Sequence, residues 1–296
     1  MVSRTAAASA ELDVVSLSLT TYGLADQPTD LGRKVTSALQ VIEDAIERYG
    51  SLHLALSFNG GKDCTALMHL VRAALYRHSA NQGCATDSST ELPLVSLYIQ
   101  YKNSFPEMDS FVQNSVARYN LDLVKRSGPM RQGLQSFKSD YPGIRGIFVG
   151  TRRDDPYGNM LQFFSPTDPD WPQFMRINPI LSWTFDDVWG FMRQAAVPYC
   201  CLYDQGYTSL GDVDSTKQNP ALLKDGKYQP AWTLANGGLE RSGRSTPGVT
   251  TDTSSISTLA LESVSGLPVP NREARLSRDS SPGLNHGRSS SSSSLE

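Results

Sequence analysis

The residues with the clearest chemical potential lie in one short segment, SFNGGKDC, at positions 57–64. The segment follows an apolar run that predicts a buried strand and precedes a helical pattern, so it joins a strand to a helix N-terminus. Gly60 and Gly61 allow backbone amides to approach phosphate oxygens, and Lys62 adds positive charge. Asp63 can orient that lysine or hold a metal ion. Because a helix N-terminus also offers free N–H groups, the segment predicts a phosphate-binding loop.

The residues of this loop exclude two common nucleotide-binding motifs. A Walker A loop needs glycine where Leu56 stands, and serine or threonine where Asp63 stands. The segment also lacks the GxGxxG pattern of dinucleotide-binding redox enzymes. The alternative that remains is a glycine turn that carries a lysine by chance and binds nothing.

The elements that must position this loop alternate between helices and strands. Apolar spacing predicts helices at 31–49, 67–78, 104–119 and 130–140, and strands at 53–58, 94–99, 122–126 and 146–151. This order predicts an α/β fold with a doubly wound, Rossmann-like parallel sheet. The ligand of such a sheet lies at the C-terminal ends of its strands, where the glycine loop stands.

Side chains at the predicted helix starts indicate how the helices begin. Asp30 is the expected N-cap of the first helix. Ser104 with Glu107, and Thr184 with Asp187, have the spacing of a capping box. The helix that follows Thr184 carries a stripe of aromatic and Met residues, which we interpret as core.

The glycine loop resembles the PP-loop, S-x-G-G-K-D-S/C, of the ATP pyrophosphatase and adenylyl-sulfate reductase superfamily. Asn59, where serine is more usual, makes it similar to the loop of fungal and animal FAD synthases. Further motifs of that family follow in order: FPEMDSF (105–111), GTRRDDP (150–156), FSPTDPDWPQFMRINPIL (164–181), WTFDDVWGFM (183–192), YCCLYDQGYTSLG (199–211) and LERSGR (239–244). The resemblance covers nearly all of 29–244. It implies the PP-loop adenine nucleotide alpha-hydrolase type of fold.

The resemblance also implies an activity, ATP:FMN adenylyltransferase, in which AMP passes from ATP to the phosphate of FMN to give FAD and pyrophosphate, with Mg²⁺ on the triphosphate. It assigns catalytic roles to Asn59, Asp63, Asp155, Arg241 and Arg244, and the first three of these also to the metal. The residues that it implies for binding ATP or FMN are Leu56, Ser57, Phe58, Gly60, Gly61, Lys62, Ile99, Thr151, Arg152, Asp168, Asp170, Trp171 and Arg176.

Several of these assignments have alternatives that the sequence leaves open. Asp155 can bind Mg²⁺ or position the attacking phosphate. Trp171 either lines a flat flavin pocket or only caps the core. Arg241 and Arg244 either hold phosphates through their guanidinium forks or are ordinary surface charges. Asp154 departs from the family pattern and adds a carboxylate beside Asp155.

Rival activities of the superfamily lack their own signatures in this chain. Sulfonucleotide reduction needs a nucleophilic cysteine in a C-terminal motif, and no cysteine follows Cys201. Transfer RNA thiolation calls for a persulfide cysteine pair and a basic surface, and the formal net charge is −3. A non-catalytic flavin or nucleotide sensor remains possible from one sequence.

Composition sets the remaining expectations. Hydrophobic residues make up 39 % of the 296 residues, enough for a sizeable core, and no apolar stretch is long enough for a membrane span. We expect a cytoplasmic monomer that binds neither nucleic acid nor membrane. No Phe, Tyr or Trp follows Trp232, and a Ser-rich sequence closes the chain. The predicted organisation is an arm of uncertain order at 1–28, a catalytic domain at 29–244 and a disordered tail at 245–296.

Overall fold

A computed structural model describes residues 13–83, 92–100 and 103–245 of the chain. Residues 1–12, 84–91, 101 and 102, and 246–296 lie outside the described residues. The predicted disordered tail therefore lies outside them, apart from Ser245.

A six-stranded sheet forms the centre of the fold, in the order β3-β2-β1-β4-β6-β5. Its strands are β1 (Leu54–Ser57), β2 (Leu94–Gln100), β3 (Leu121–Ser127), β4 (Gly146–Phe148), β5 (Phe164–Pro166) and β6 (Met175–Ile177). All neighbouring pairs are parallel except β5 with β6, which is antiparallel. The predicted α/β class with a mostly parallel sheet is confirmed.

Helices cover both faces of this sheet. They are α1 (Val14–Ala25), α2 (Asp30–Tyr49), α3 (Lys62–Asn81), α4 (Pro106–Arg118), α5 (Met130–Asp140) and α6 (Phe185–Gln194). Leu54 and Leu56 of β1 belong to the larger core, which includes residues of all these helices except α5, whereas Ala55 belongs to a smaller core that includes α5. This division follows from the alternation of side chains along a strand. Because β1 and β4 are parallel and paired at Leu56 and Phe148, their C-terminal ends lie side by side at one edge of the sheet.

The segment predicted as an arm of uncertain order contains α1. Its N-cap is Asp13, whose side chain accepts from the amides of residues 15 and 16. The helix has no clear apolar period because two of its buried side chains are polar. The hydroxyl of Ser18 donates to the carbonyl of Ala73 at 3.1 Å, and that of Thr21 donates to the carbonyl of Leu17 at 2.8 Å. These bonds satisfy the buried hydroxyls, so the helix packs without an amphipathic pattern.

The predicted capping box at Ser104 and Glu107 is wrong. Helix α4 begins at Pro106, and its N-cap is Phe105, which makes no side-chain capping bond within the described residues. The hydroxyl of Ser104 is buried and finds no partner among them. Proline at the first helical position explains the shift, because its fixed φ favours a helix start and its nitrogen needs no acceptor.

The other two predicted helix starts agree more closely with the structure. Thr184 and Asp187 form the expected capping box at the start of α6, and Lys34 of α2 also bonds to the carboxylate of Asp187. For α2 the cap lies one residue earlier than predicted, at Thr29, and Asp30 is instead the first helical residue.

The proline-rich family motif at 164–181, for which the apolar spacing predicted no strand, supplies the two short strands β5 and β6, which complete the sheet. Beyond α6 the chain runs mainly through short 3₁₀ turns and one small hairpin, β7 (Leu223–Lys224) with β8 (Lys227–Tyr228). In the described ranges, no helix has the length and apolar character needed to cross a membrane.

Candidate active site

The glycine loop lies between the end of β1 and the start of α3, as predicted. Gly60 has a φ of +80°, and a Cβ at this position would stand 2.5 Å from the sulfur of Met108. Glycine is therefore required by both conformation and space. The side-chain oxygen of Asn59 accepts from the amide of Gly61 at 3.0 Å and so fixes the turn. Helix α3 begins at Lys62, its N-cap Gly61 makes no side-chain capping bond within the described part of the chain, and Lys62, Asp63 and Cys64 of its first turn line the cavity described next.

A cavity of about 630 Å³, including its open mouth, lies above this loop. Its lining combines the loop, the end of β4 and two distant segments: Asn59, Gly61, Lys62, Asp63, Cys64, Gly150, Thr151, Asp155, Tyr203, Ser209, Leu210, Glu240, Arg241 and Arg244. Each of the five predicted catalytic residues is in this lining. Residues of the glycine loop, GTRRDDP and LERSGR thus converge on one volume, although they are far apart in sequence.

A buried cluster of charged side chains forms the floor of the cavity. Arg152 pairs with Asp63 (Nε to Oδ1, 2.9 Å) and with Glu240 (Nη2 to Oε2, 2.5 Å). Lys62 pairs with Asp63 (Nζ to Oδ2, 2.9 Å) and with Glu240. Asp155 accepts from the backbone amide of Arg152 at 2.8 Å. Lys62 therefore pairs with two carboxylates and Arg152 with three, the third being Asp155 at 3.8 Å, and such pairing makes burial of these charges tolerable.

The cluster shifts the pKa values of its members in different directions. Burial alone would lower the pKa of Lys62, but the Asp63 and Glu240 carboxylates raise it above its ordinary value. Burial would raise the pKa of Asp63, but Arg152 and Lys62 lower it. Burial and the charge of Asp63 together raise the pKa of Asp155, against the opposing effect of Arg152. Asp155 is thus the carboxylate with the least compensated charge, and a cation close to it would be favoured.

Glu240 belongs to the LERSGR motif, but the sequence analysis did not select it. Its position is fixed from behind, since the hydroxyl of Thr208 donates to its backbone carbonyl at 2.6 Å. Asn219 in turn donates to Thr208 at 2.9 Å and to the carbonyl of Leu239 at 2.8 Å. The only sequence signal for Glu240 was its place beside Arg241, because its partners lie far away in the chain.

Tyr203 is a second functional residue that the sequence analysis missed. Its hydroxyl accepts from the backbone amide of Lys62 at 2.9 Å and so binds an otherwise free donor at the start of α3. Burial raises the pKa of Tyr203, which keeps the phenol protonated. The hydroxyl therefore anchors the glycine loop to the segment after α6.

Gly150, at the end of β4, lies directly against the start of α3. A Cβ there would stand 2.9 Å from the amide nitrogen of Cys64 and 3.0 Å from the carbonyl carbon of Asp63. No side chain fits this gap. The close approach brings the GTRRDDP segment next to the glycine loop.

Arg241 and Arg244 are also lining residues of the cavity. Arg244 pairs through its backbone with Thr216 in an isolated antiparallel bridge. Its guanidinium lies over Gly211, where an added Cβ would meet it at 2.3 Å to 2.5 Å. These contacts hold Arg244 at the edge of the cavity, and its role in binding phosphate stays a prediction.

The predicted flavin-binding residues lie elsewhere, and none of them lines this cavity. Trp171 is buried in the smaller core, as the alternative reading of that residue expected. Arg176 donates to the carbonyl of Pro166 at 2.8 Å, and burial lowers its pKa. Asp170 pairs with Arg131 at 3.5 Å. The flavin roles of Trp171, Arg176, Asp170 and Asp168 stay predictions.

Four more residues that the resemblance implies for binding ATP or FMN lie on or directly after β1 and on β2. Leu56 and Phe58 are fully buried and Ser57 is nearly so, which leaves their backbone groups as the parts able to meet a ligand. A smaller recess of about 280 Å³ adjoins the main cavity and shares three lining residues with it. Its other lining residues are Tyr98, Ser104, Phe105, Met108 and Gly211. Ile99 is half-buried on β2 and follows Tyr98, which lines this recess.

Fold and site together define a class of protein, and comparison with known families identifies it. The model of the phosphoadenosine phosphosulfate reductase domain matches residues 53–144 and 129–218, which is more than half of the chain. The chain belongs to this family.

Its relatives identify the branch of the family as the FAD synthases. A probable FAD synthase of Schizosaccharomyces pombe is 42 % identical over 215 residues, which cover 72 % of this chain and 80 % of the relative. A probable FAD synthase of Caenorhabditis briggsae is 41 % identical over 225 residues, or 73 % of this chain, but the match spans only 41 % of that longer relative.

Solved structures agree with this fold. The crystal structure of the Candida glabrata FMN adenylyltransferase superposes with a TM-score of 0.71 at 23 % identity, and the match covers 79 % of this chain and 97 % of that one. The crystal structure of yeast FAD synthetase in complex with FAD superposes with a TM-score of 0.69 at 26 % identity, and the match covers 78 % of this chain and 98 % of that one.

Proposed function

We propose that this protein is an FAD synthase that transfers AMP from ATP to the phosphate of FMN and releases pyrophosphate. The observation that carries the proposal is the convergence of the glycine loop, Asp155 and the two arginines of LERSGR on one cavity. The relatives named FAD synthase support the chemistry.

The triphosphate of ATP is expected to lie against the start of α3. The amides of Gly61 and Lys62 are used by Asn59 and Tyr203, so the other amides of the first helical turn would donate to phosphate oxygens, and the positive end of the helix dipole adds to the attraction. Lys62 supplies the nearest full positive charge. Adenine would then occupy the adjoining smaller recess, where backbone groups at the ends of β1 and β2 can read it.

The residues present fit a Mg²⁺ ion that arrives with the triphosphate. In the described ranges, no three His, Cys, Asp or Glu side chains are grouped to hold a metal by themselves. This matches the usual habit of Mg²⁺, which binds one or two carboxylates and completes its shell with phosphates and water. Asp155, with its raised pKa, and Asp63 are the acids in position to hold it. When bound, the ion neutralises charge on the phosphates.

Asn59 has a different place in this scheme from the one implied by resemblance. Its side-chain oxygen is already used by the amide of Gly61 and by the thiol of Cys64, each at 3.0 Å. Its contribution to metal geometry would therefore be indirect, through the shape of the loop. A direct metal contact would require both bonds to rearrange.

The remaining task of the site is to bring two negatively charged phosphates into line. Phosphoryl and nucleotidyl transfers ask a protein mainly for alignment and charge neutralisation. Arg241 and Arg244, which line the same cavity, would hold the FMN phosphate against the α-phosphorus of ATP. Guanidinium forks suit this because they hold two oxygens in a fixed plane. Asp168, Asp170, Trp171 and Arg176 remain the proposed contacts of the flavin ring.

Monomeric state, a cytoplasmic location and the absence of nucleic-acid and membrane partners belong to the same proposal. They rest on the chain's composition and on its small net charge.

A direct test measures both products with purified full-length chain. Incubation with ATP, FMN and Mg²⁺ should give FAD and pyrophosphate in equal amounts, and omission of either substrate should abolish both. Lys62→Met should remove most of the activity, whereas Lys227→Met, at an exposed hairpin position, should not. Pyrophosphate release without FMN, or no FAD from either protein, would refute the proposal.

A further inference from the structure

The acids of the buried cluster lie between its bases and the open cavity. Lys62 and Arg152 are only 2 % and 1 % exposed, whereas the side chains of Asp63, Asp155 and Glu240 are 24 %, 14 % and 12 % exposed. A phosphate group that enters the cavity therefore meets carboxylates first. This arrangement is the reverse of a site that is ready for an anion.

Lys62 in particular is already fully occupied. Its ammonium group binds Glu240 and Asp63, and it lies 5.4 Å from the centre of the Phe185 ring, which closes its apolar side. Of the three donors of an ammonium group, two bind carboxylates here, and the Phe185 ring covers the remaining side of the group. A phosphate oxygen can become a close partner of Lys62 only if one carboxylate withdraws.

Glu240 is the carboxylate that can withdraw. Asp63 and Glu240 both pair with Arg152, but Asp63 is adjacent to Lys62 on the same helix turn and its short side chain has little room to turn away from either base. Glu240 has a longer side chain with one more rotatable bond, and it borders the cavity. Its backbone is held by Thr208 at 2.6 Å and by the bond from its amide to Gly237 at 3.0 Å. The side chain can therefore turn away while the backbone that carries Arg241 stays in place.

We infer that Glu240 is a displaceable counter-ion of Lys62: its carboxylate occupies the place of a phosphate group while the site is empty, and the triphosphate replaces it on binding. This inference rests on the proposed function, because it assigns the triphosphate to this cavity. Glu240 is thus a positioning residue that acts through Lys62. It keeps the two buried bases compensated in the empty site and lets one of them exchange partners when the nucleotide arrives.

The test is the affinity of the chain for the ATP analogue AMPCPP with Mg²⁺, measured by calorimetry without FMN. Glu240→Gln keeps the size of the side chain but removes the charge that competes with phosphate. It should bind AMPCPP about tenfold more tightly than wild type, the lower end of what a hydrogen bond to a charged group contributes. The empty variant should melt at a lower temperature than wild type, because two buried bases lose a partner, and AMPCPP should raise its melting temperature by more. Glu47→Gln, an exposed position on α2, is the matched control and should change neither value.

A fixed structural role for Glu240 gives the opposite result. If Glu240→Gln binds AMPCPP with unchanged or weaker affinity while wild type binds it, the inference is wrong and the proposed function stands. If wild type itself does not bind AMPCPP, the proposed function fails and the inference falls with it. Should Glu240→Gln not fold, Glu240→Asp carries the same test, since its shorter side chain cannot reach both bases from the anchored backbone. It should bind more tightly than wild type, and equal or weaker binding would overturn the inference.

Discussion

Replacement of Gly150 by alanine tests how closely the fold must hold the glycine loop. The new Cβ would stand 2.9 Å, 3.0 Å and 3.1 Å from backbone atoms of Asp63 and Cys64, where ordinary contacts begin at 3.4 Å. Backbone cannot rotate away as a side chain can, so the start of α3 and the end of β4 must separate by about 0.5 Å. Overpacking of this kind costs about 1–3 kcal/mol of unfolding free energy.

The expected loss of activity is larger than the loss of stability suggests. A displacement of ~1 Å in an aligned site can reduce the rate ~100-fold, so a shift half as large should cost about tenfold in kcat/KM for ATP. The assays are urea unfolding and steady-state FAD synthesis.

Gly23→Ala serves as the control for this experiment. Gly23 lies in α1, and a Cβ added there would meet nothing within 4 Å beyond the backbone of its own helix. The variant should therefore gain up to about 1 kcal/mol of stability and keep its activity. If Gly150→Ala has both the stability and the kcat/KM of wild type, the contact between β4 and α3 does not set the geometry of the site.

Three further variants test separate parts of the structure. Asp155→Asn should lose two to three decades of turnover, about 3–4 kcal/mol of transition-state stabilisation. The variant should keep or gain unfolding free energy, because the raised pKa of Asp155 means that the fold disfavours its charge. Turnover within threefold of wild type would remove Asp155 from the mechanism. Arg244→Lys should weaken FMN binding or turnover by about 1–3 kcal/mol while ATP binding changes much less, and equal losses for both substrates would place Arg244 on the triphosphate. Asp187→Ala should lose about 1–2 kcal/mol in urea unfolding at pH 7, whereas Asp186→Ala, an exposed neighbour, should not. Burial would raise the pKa of Asp187, but Lys34 and the helix cap lower it, so its stabilisation is present above the ordinary carboxyl pKa of about 3.9 and disappears as the pH falls through the lower folded value. A difference between wild type and Asp187→Ala that stays constant down to pH 3 would contradict this.

Much of the sheet could be predicted because its two central strands, β1 and β4, are fully buried and lie in short apolar runs of the sequence. The short run before Ser57 is the clearest case, since all four residues of β1 are buried. The strands β5 and β6 gave no such signal, because each has only three residues and prolines lie within and between them. Helix α1 was not predicted for a different reason. Two of its buried side chains are hydroxyls, which interrupt the apolar pattern, and the carbonyls that satisfy them include one of α3.

The residues of the candidate site also fall into two groups, those that a local sequence pattern marks and those that only the folded structure brings together. Local motifs identified Lys62 and Asp155, because a glycine loop and a strand end carry their own sequence signals. Glu240 and Tyr203 act through contacts with Lys62 across long stretches of chain, and neither has a local pattern that marks it. Gly150 was visible as a residue, but its role as a spacer against α3 exists only in three dimensions.

The most direct test of the central claim follows the α-phosphate of ATP. Purified chain should be given ATP labelled at that phosphate, with FMN and Mg²⁺, and the products separated by chromatography. The account predicts that the label appears in FAD, that the pyrophosphate is unlabelled, and that no label leaves ATP when FMN is absent. Label released as AMP, or ATP consumed without FAD, would contradict the assignment of this cavity to FMN adenylylation.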